Sequence, residues 1–297
     1  MIKKMIAPLA LVMLLCAACK KENDTAPVSA LAPSEEVMTS GNRVAPATFT
    51  QKLLIEMFGT SYCATCPDME QKCRYWQNKH PNRVFGYVSH NSDKMDIGLY
   101  DYLDSVYNVT TYASGMLNRT VYGGMLDIPK QYWTNYVNTA LNQTANCGLE
   151  IVSTVSGNTA TIKVSCGFNA VLSGNYNLTA LLYQDSIVGF GAGYDQSNYY
   201  NNITGSLWYH LGNPIVGYQH DFVSRKVLST TAMGTAIPSA YIVPGGVYTK
   251  TYTVDISTYN KRQLNVIAFI NKAGSVVSGH KIMNVQGCKV GTTQLFD

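Results

Sequence analysis

Charge is scarce in this chain of 297 residues, because Asp, Glu, Lys and Arg together make up only 13% of it. The formal net charge of +4 drops by two, to +2, once the two lysines near the N-terminus, Lys3 and Lys4, are set aside. So small a charge gives no electrostatic field that would favour nucleic acid. No nucleic-acid partner is therefore expected.

Several catalytic motifs are also missing. The sequence has no Gly-rich phosphate loop, no HExxH and no GxSxG, which are the local patterns of nucleotide binding, zinc proteolysis and serine hydrolysis. The five histidines, at positions 80, 90, 210, 220 and 280, show no metal-ligand spacing. We therefore expect no cofactor and no metal.

Only the N-terminus carries a continuous apolar run. Met5–Leu15 follows the lysine pair and is too short to cross a bilayer, which takes roughly 20 residues, so it reads as a signal segment. Small residues directly before Cys19 resemble a bacterial lipobox, and the sequence thus predicts a lipoprotein signal peptide over 1–18 and a lipid on Cys19. An ordinary signal peptide cut nearby is the alternative.

The segment 19–47 is rich in Ala, Pro, Ser and Thr and lacks periodicity. This composition predicts a disordered tether between the lipid and the folded protein. The charged residues just after Cys19 resemble surface-export signals of Bacteroidota lipoproteins.

The cysteines of residues 63–66 carry the strongest chemical signal. An apolar stretch at 53–58 leads through Gly-Thr-Ser into Cys63 and Cys66, and helical spacing follows. A C-x-x-C pair between a buried strand and a helix start is the thioredoxin arrangement. Unpaired N–H groups at a helix start favour a thiolate, so Cys63 is the candidate nucleophile and Cys66 the resolving thiol. A static disulfide and a metal-binding pair remain open.

Two folded parts follow from the patterning. Residues 48–145 predict a mixed α/β unit and residues 146–297 an all-β unit of short alternating strands. The elements expected in the first are strands at 50–58 and 83–89, helices at 64–79, 97–107 and 128–142, and extended pieces at 116–121 and 125–127. Those expected in the second are a hairpin at 149–166 and strands at 177–184, 241–243, 248–255, 264–271 and 281–285.

The hairpin would place Cys147 opposite Cys166 if Ser156-Gly157 is its turn, and a disulfide or two buried thiols are both open there. Cys73 and Cys288 remain as the leftover pair, which lie in different predicted units. A long loop from 189 to 219 is rich in Gly, Asn and Tyr and predicts either a ligand loop or a solvated insertion. The candidate ligand residues are Tyr194, Tyr199, Tyr200, Trp208 and Tyr209.

Four short segments, taken in order, resemble the twenty-eight-kilodalton outer-membrane lipoprotein family of Bacteroidota. They are Tyr62–Pro67, Gly115–Arg119, Asp185–Gly189 and Tyr218–Arg225. The resemblance implies an α/β thioredoxin-like N-terminal domain followed by an all-β immunoglobulin-like sandwich. It also implies a lipid-anchored location at the outer membrane, on its periplasmic or its cell-surface face.

One position departs from thioredoxin-like proteins. Ala113 stands where a cis-proline is usual, and a cis bond without proline costs about 2.5–4 kcal/mol, so we expect Ala113 to be trans and its loop rebuilt. Two hypotheses follow. Either Cys63 and Cys66 exchange disulfides with an envelope or extracellular client protein, or the fold is a scaffold for surface binding, adhesion or envelope structure. The N-terminal lipid would attach either form to the membrane.

Overall fold

The computed structural model describes the backbone of residues 35–37 and all of residues 44–276 and 279–297. The predicted signal peptide, the lipidated Cys19 and most of the predicted tether lie outside the described residues. Within the described part of the chain, no helix has the length and apolar character needed to cross a membrane.

The structure is mostly β-sheet with few helices. The strands are β1 (Glu35–Val37), β2 (Leu53–Gly59), β3 (Val84–His90), β4 (Ser114–Leu117), β5 (Ile128–Pro129), β6 (Cys147–Ser156), β7 (Thr159–Phe168), β8 (Asn175–Gln184), β9 (Ile187–Val188), β10 (Gln219–His220), β11 (Val223–Val227), β12 (Thr235–Ile237), β13 (Val247–Asp255), β14 (Leu264–Ala273), β15 (Ile282–Lys289) and β16 (Thr293–Gln294). The α-helices are α1 (Cys66–Lys79), α2 (Leu99–Tyr107) and α3 (Trp133–Leu141).

One long sheet crosses the predicted boundary at 145/146. Its strand order is β15-β14-β8-β11-β3-β2-β4-β5, with β12 paired to β8. The link between its two parts is short: Val223 of β11 pairs in parallel with Val88 of β3, and the Val88 N–H donates to the Phe222 carbonyl at 2.8 Å. Strands from the first predicted unit and from the second therefore share one hydrogen-bonded layer.

A second sheet, of order β1-β13-β7-β6-β16, is antiparallel throughout. Apolar side chains of β6, β7 and β13 share one core with those of β8 and β14 from the long sheet. The strand β1 lies inside the predicted tether and pairs with β13, and Ala45 is buried. The prediction of a tether through residue 47 is wrong at this end, because the chain joins the sheet before that point.

The β6–β7 hairpin forms where it was predicted but in another register. Its turn is at Gly157-Asn158, so Cys147 pairs with Phe168 and Cys166 pairs with Leu149. Because the shift is two residues, the same side chains still face the core. The predicted pairing of Cys147 with Cys166 is wrong, because the two are diagonal rather than opposite.

Helix α1 packs closely on the strands that precede and follow it. A Cβ atom at Gly86 would lie 2.5 Å from the Cys73 sulfur, so only glycine fits there. The helix predicted over 128–142 begins later, at Trp133, because Ile128 and Pro129 pair with β4 instead. The strand predicted at 241–243 is a 3-10 turn, Ser239–Tyr241.

Candidate functional site

The CxxC turn, residues 60–66, connects β2 to α1. Cys63 and Cys66 form a disulfide with Cα atoms 5.4 Å apart, and Cys66 is the first residue of the helix. Cys63 is 9% exposed to solvent and Cys66 is 2% exposed. Cys63 is therefore the sulfur that an incoming group reaches first, and Cys66 the one that benefits from the helix N-terminus.

A loop from the distant part of the chain covers one side of this turn. We call residues 189–217 the covering loop. Three hydrogen bonds join it to backbone carbonyls of the turn: Ser197 N–H to Ser61 (2.8 Å), Tyr199 N–H to Ala64 (2.9 Å) and Gln196 Nε2 to Cys63 (2.8 Å). The loop thus occupies backbone carbonyls of the turn that could otherwise accept hydrogen bonds from another chain. It covers the turn from that side.

Polar side chains hold the covering loop in shape. The buried Asn198 side chain donates to the Trp208 and Gly212 carbonyls, at 2.9 Å each, and accepts from the Tyr200 N–H at 2.9 Å. Lys130 contacts the carboxylate of Asp68 on α1 and donates to the Tyr200 hydroxyl at 3.1 Å. The loop is therefore attached to the helix that carries Cys66.

The other side of the turn is open. A cleft of about 280 Å³ runs beside Thr65, between the 111–113 loop and Lys130. Ala113 has φ +58° and accepts a hydrogen bond from the Lys130 N–H at 3.1 Å. Its peptide bond is not cis, which confirms the expectation of a trans Ala113 in a rebuilt loop; in the described residues the cis bond is Asn213–Pro214. The cleft therefore reaches the turn at Thr65, the residue between Ala64 and Cys66.

The five predicted aromatic ligand residues do not form one cluster. Tyr200 packs on Trp208 with ring centroids 5.3 Å apart and meets Tyr199 edge-on at 5.4 Å, beside an open cleft of about 400 Å³. Tyr194 lies near the start of the loop, and Tyr209 stacks on the histidine that follows it at 3.8 Å. Three of the five are brought together, and their role as a ligand site stays a prediction.

The other four cysteines of the described residues are free thiols. Cys73, Cys147 and Cys166 are buried and Cys288 is partly exposed. Burial raises the pKa of Cys73 and of Cys147 to about 12, so neither forms a thiolate at neutral pH. Among the described cysteines, the disulfide chemistry therefore belongs to Cys63 and Cys66.

The buried Glu56 of β2 does not lie under the cysteines. Gly59 faces the Cys66 sulfur, and alternation along β2 turns Glu56 to the opposite side. There it accepts two hydrogen bonds from Arg119 at 2.7 Å and one from the Tyr87 hydroxyl at 2.5 Å. Glu56 is a structural ion-pair partner.

A cluster that the sequence did not predict lies near the CxxC turn. Glu70, one helical turn after Cys66, is buried together with His90 and His220, with one ligand atom of each within 4.8 Å of the others. Burial raises the pKa of Glu70 to about 8 and lowers that of His220 to about 4. The three positions are far apart in sequence, so no local spacing could have revealed them.

The fold and site define a β-rich protein in which a disulfide lies at the start of helix α1 and a loop covers it on one side. The family model described as outer membrane protein Omp28 matches residues 100–294, and the chain belongs to this family of outer membrane proteins. The family match confirms the resemblance noted from the sequence. The matched range begins after the CxxC turn.

Two solved structures are similar. HBP35 of Porphyromonas gingivalis aligns with a TM-score of 0.66 at 18% identity, over 82% of this chain and 76% of that one. A structural-genomics protein of Agrobacterium tumefaciens aligns with a TM-score of 0.47 at 14% identity, over 84% of this chain and 98% of that one. None of the curated proteins compared with the sequence matches it. The first similarity shows a shared fold.

Proposed function

We propose that this outer membrane protein is lipid-anchored through Cys19 and exchanges disulfides with envelope proteins through Cys63 and Cys66. In this reading, residues 48–145 are the thioredoxin-like part and residues 146–297 the immunoglobulin-like sandwich. The observation that carries the proposal is the Cys63–Cys66 disulfide at the start of α1, with an open cleft on one side.

The exchange follows from the two positions. A thiolate of a reduced client attacks the Cys63 sulfur, a client–Cys63 bond forms, and Cys66 leaves as a thiolate favoured by the helix N-terminus. A second client thiolate then attacks the client sulfur of that bond and releases Cys63. The client gains a disulfide and the protein keeps two thiols; in reverse, Cys63 attacks a client disulfide and Cys66 resolves it.

The test uses the oxidised full chain in detergent and a peptide that carries two thiols. We expect peptide oxidation to match the appearance of thiols in the protein, and Cys63→Ser and Cys66→Ser each to abolish it. Cys288→Ser, which removes a partly exposed free thiol, is the matched control and should leave the rate unchanged. With a disulfide peptide, reduced Cys66→Ser should hold a mixed disulfide on Cys63. Peptide oxidation that persists in Cys63→Ser would reject this mechanism.

A second function is favoured by the covering loop itself. Phe190, Leu207 and Val216 are strongly exposed apolar residues on it, and several exposed apolar side chains on one loop suit contact with another molecule. In this alternative the disulfide is a permanent brace and the loop binds a surface partner. Deleting residues 189–217 would then abolish binding, whereas under the exchange mechanism it would speed access to Cys63. Binding that survives the deletion would exclude the loop as the contact site.

A further inference from the structure

Three buried side chains from three elements meet next to the CxxC turn. Glu70 comes from α1, His90 from the end of β3 and His220 from β10. Their exposures are 5%, 2% and 0%, and one ligand atom from each lies within 4.8 Å of the other two. The proposed exchange reaction uses none of them, so their juxtaposition needs its own explanation.

His90 is already oriented by a carboxylate. Its Nδ1 lies 2.8 Å from Asp93 Oδ2, and Asp93 is itself fixed by the Ser61 N–H at 2.7 Å. A carboxylate only accepts hydrogen bonds, so Nδ1 carries a proton, and in the neutral imidazole Nε2 keeps its lone pair. That buried Nε2 has no hydrogen-bond partner among the described residues.

His220 repeats the arrangement with a backbone group. Its Nε2 donates to the Tyr194 carbonyl at 2.7 Å, so in the neutral ring Nδ1 holds the lone pair. In the part of the chain that the structure describes, this buried Nδ1 also has no hydrogen-bond partner. The two rings meet edge to face with centroids 5.7 Å apart. Two imidazole lone pairs are thus buried together without a donor, a costly state in a native interior.

The carboxyl of Glu70 is only weakly satisfied. Its Oε2 accepts from the Tyr218 hydroxyl at 3.3 Å and the Asp221 N–H at 3.4 Å, both long for hydrogen bonds of this kind. A shared partner with positive charge and open coordination would satisfy all three groups at once. Such a partner is a metal cation.

We propose that Glu70, His90 and His220 bind one Zn²⁺ ion. Two imidazoles favour a borderline transition metal over Ca²⁺ or Mg²⁺, which take oxygen ligands. Three protein ligands leave a fourth position for water. In such sites the ligating histidines usually donate their other ring N–H to a carboxylate or a backbone carbonyl, as His90 does to Asp93 and His220 to Tyr194.

The site has a way in and a structural consequence. A cleft of about 130 Å³ reaches Glu70 beside Tyr218 and Asp221. A bound ion would tie α1 to β3 and β10, and β10 directly follows the covering loop. Zinc would therefore fasten the loop over the disulfide.

Calorimetric titration of the full chain tests the site. The protein is kept in detergent with its disulfide intact, stripped with a chelator and titrated with Zn²⁺. We expect one ion per chain, loss of this binding in His90→Gln and in His220→Gln, and unchanged binding in the exposed His210→Gln. Asp93→Asn, which alters only the positioning residue, should weaken binding by about 10–100-fold. Equal binding by wild type and His220→Gln, or no stoichiometric binding, would overturn the proposal.

A measurement on the unaltered protein guards against variants that do not fold. Crystals of the full chain soaked in Zn²⁺ are measured at the zinc absorption edge. An anomalous peak between Glu70, His90 and His220 supports the site, and an empty position there overturns it. Neither result depends on whether Cys63 and Cys66 exchange disulfides.

Discussion

The start of α1 and the interior of the two sheets each hold a pair of cysteines and a buried glutamate. In the sheets, Cys147 and Cys166 are free thiols in an apolar core, and Glu56 is saturated by Arg119. At α1, the cysteines form a disulfide and Glu70 has only long hydrogen bonds beside two unpartnered imidazole nitrogens.

The same residue types therefore serve different ends. Both carboxylate oxygens of Glu56 have partners, so it stabilises the fold and has no free oxygen left for a ligand. At the start of α1, unused lone pairs lie next to a cleft and a loop, and ligand binding or chemistry is the better explanation for them.

The largest expected effect concerns thiol reactivity. After mild reduction, Cys63 should be alkylated at pH 8 in the native protein, while Cys147 stays unmodified. Since burial raises the pKa of Cys147 to about 12, its thiolate fraction at pH 8 is roughly 1,000-fold below that of a thiol with the reference value. Mass spectrometry of the labelled cysteines against time measures this ratio.

Alkylation in denaturant is the control, because unfolding removes the burial and should bring the two rates together. Raising the pH toward 12 should speed the reaction of Cys147 in the folded protein, since the thiolate forms as the pH rises through the pKa. Equal alkylation rates of Cys63 and Cys147 in the folded protein at pH 8 would show that the two cysteine pairs do not differ in reactivity.

The next effect is on stability. Glu56→Gln should lower the free energy of unfolding by about 3–5 kcal/mol, because it leaves the fully buried Arg119 without a counter-charge. Denaturant unfolding monitored by circular dichroism measures the change. The double variant Glu56→Leu with Arg119→Met removes both charges and should recover most of the loss. A single variant as stable as wild type would show that the ion pair is not essential to the interior.

A smaller effect should follow from loosening the covering loop. Asn198→Ala removes three hydrogen bonds inside the loop, at roughly 0.5–1.5 kcal/mol each when the lost groups reach water. We expect the disulfide to be reduced by a water-soluble phosphine about 10-fold faster, because local opening exposes it. The exposed Asn202→Ala on the same loop is the matched control. Equal rates in the two variants would mean that the loop does not limit access to the disulfide.

Local patterns predicted the local structure well. The passage from strand to cysteines to helix is visible because residues 53–79 lie together in sequence, and α1 begins at Cys66, two residues after the predicted start, and ends at the predicted Lys79. The two faces of the β6–β7 hairpin follow from alternation. Its register does not, since a turn at 157–158 and one at 156–157 suit the same pattern of apolar residues.

Long-range contacts escaped prediction. The pairing of Val223 with Val88 joins positions more than 130 residues apart, and only the folded sheet brings them together. The same holds for His220. It lies in β10, just after the covering loop, and only the fold brings it next to His90 and Glu70. Pro129 explains a different error. Proline is common in the first turn of a helix, which favoured a helix from residue 128, but a residue without an N–H also suits an edge strand such as β5.

The smallest expected effect is the counterpart of the Glu56 substitution. Glu70→Gln makes the same change at a second buried glutamate. It should alter the free energy of unfolding of the metal-free protein by less than about 1 kcal/mol, because among the described residues Glu70 forms no ion pair like that of Glu56 with Arg119 and its hydrogen bonds are long. Denaturant unfolding in chelator, run beside Glu56→Gln, gives the comparison. A loss at Glu70 as large as that at Glu56 would mean that Glu70 holds the fold together, and the proposed division between a saturated interior and a ligand-ready end of α1 would fail. A small loss in chelator, together with stabilisation by zinc of the wild type but not of Glu70→Gln, would show that this carboxyl stabilises the protein by binding the ion.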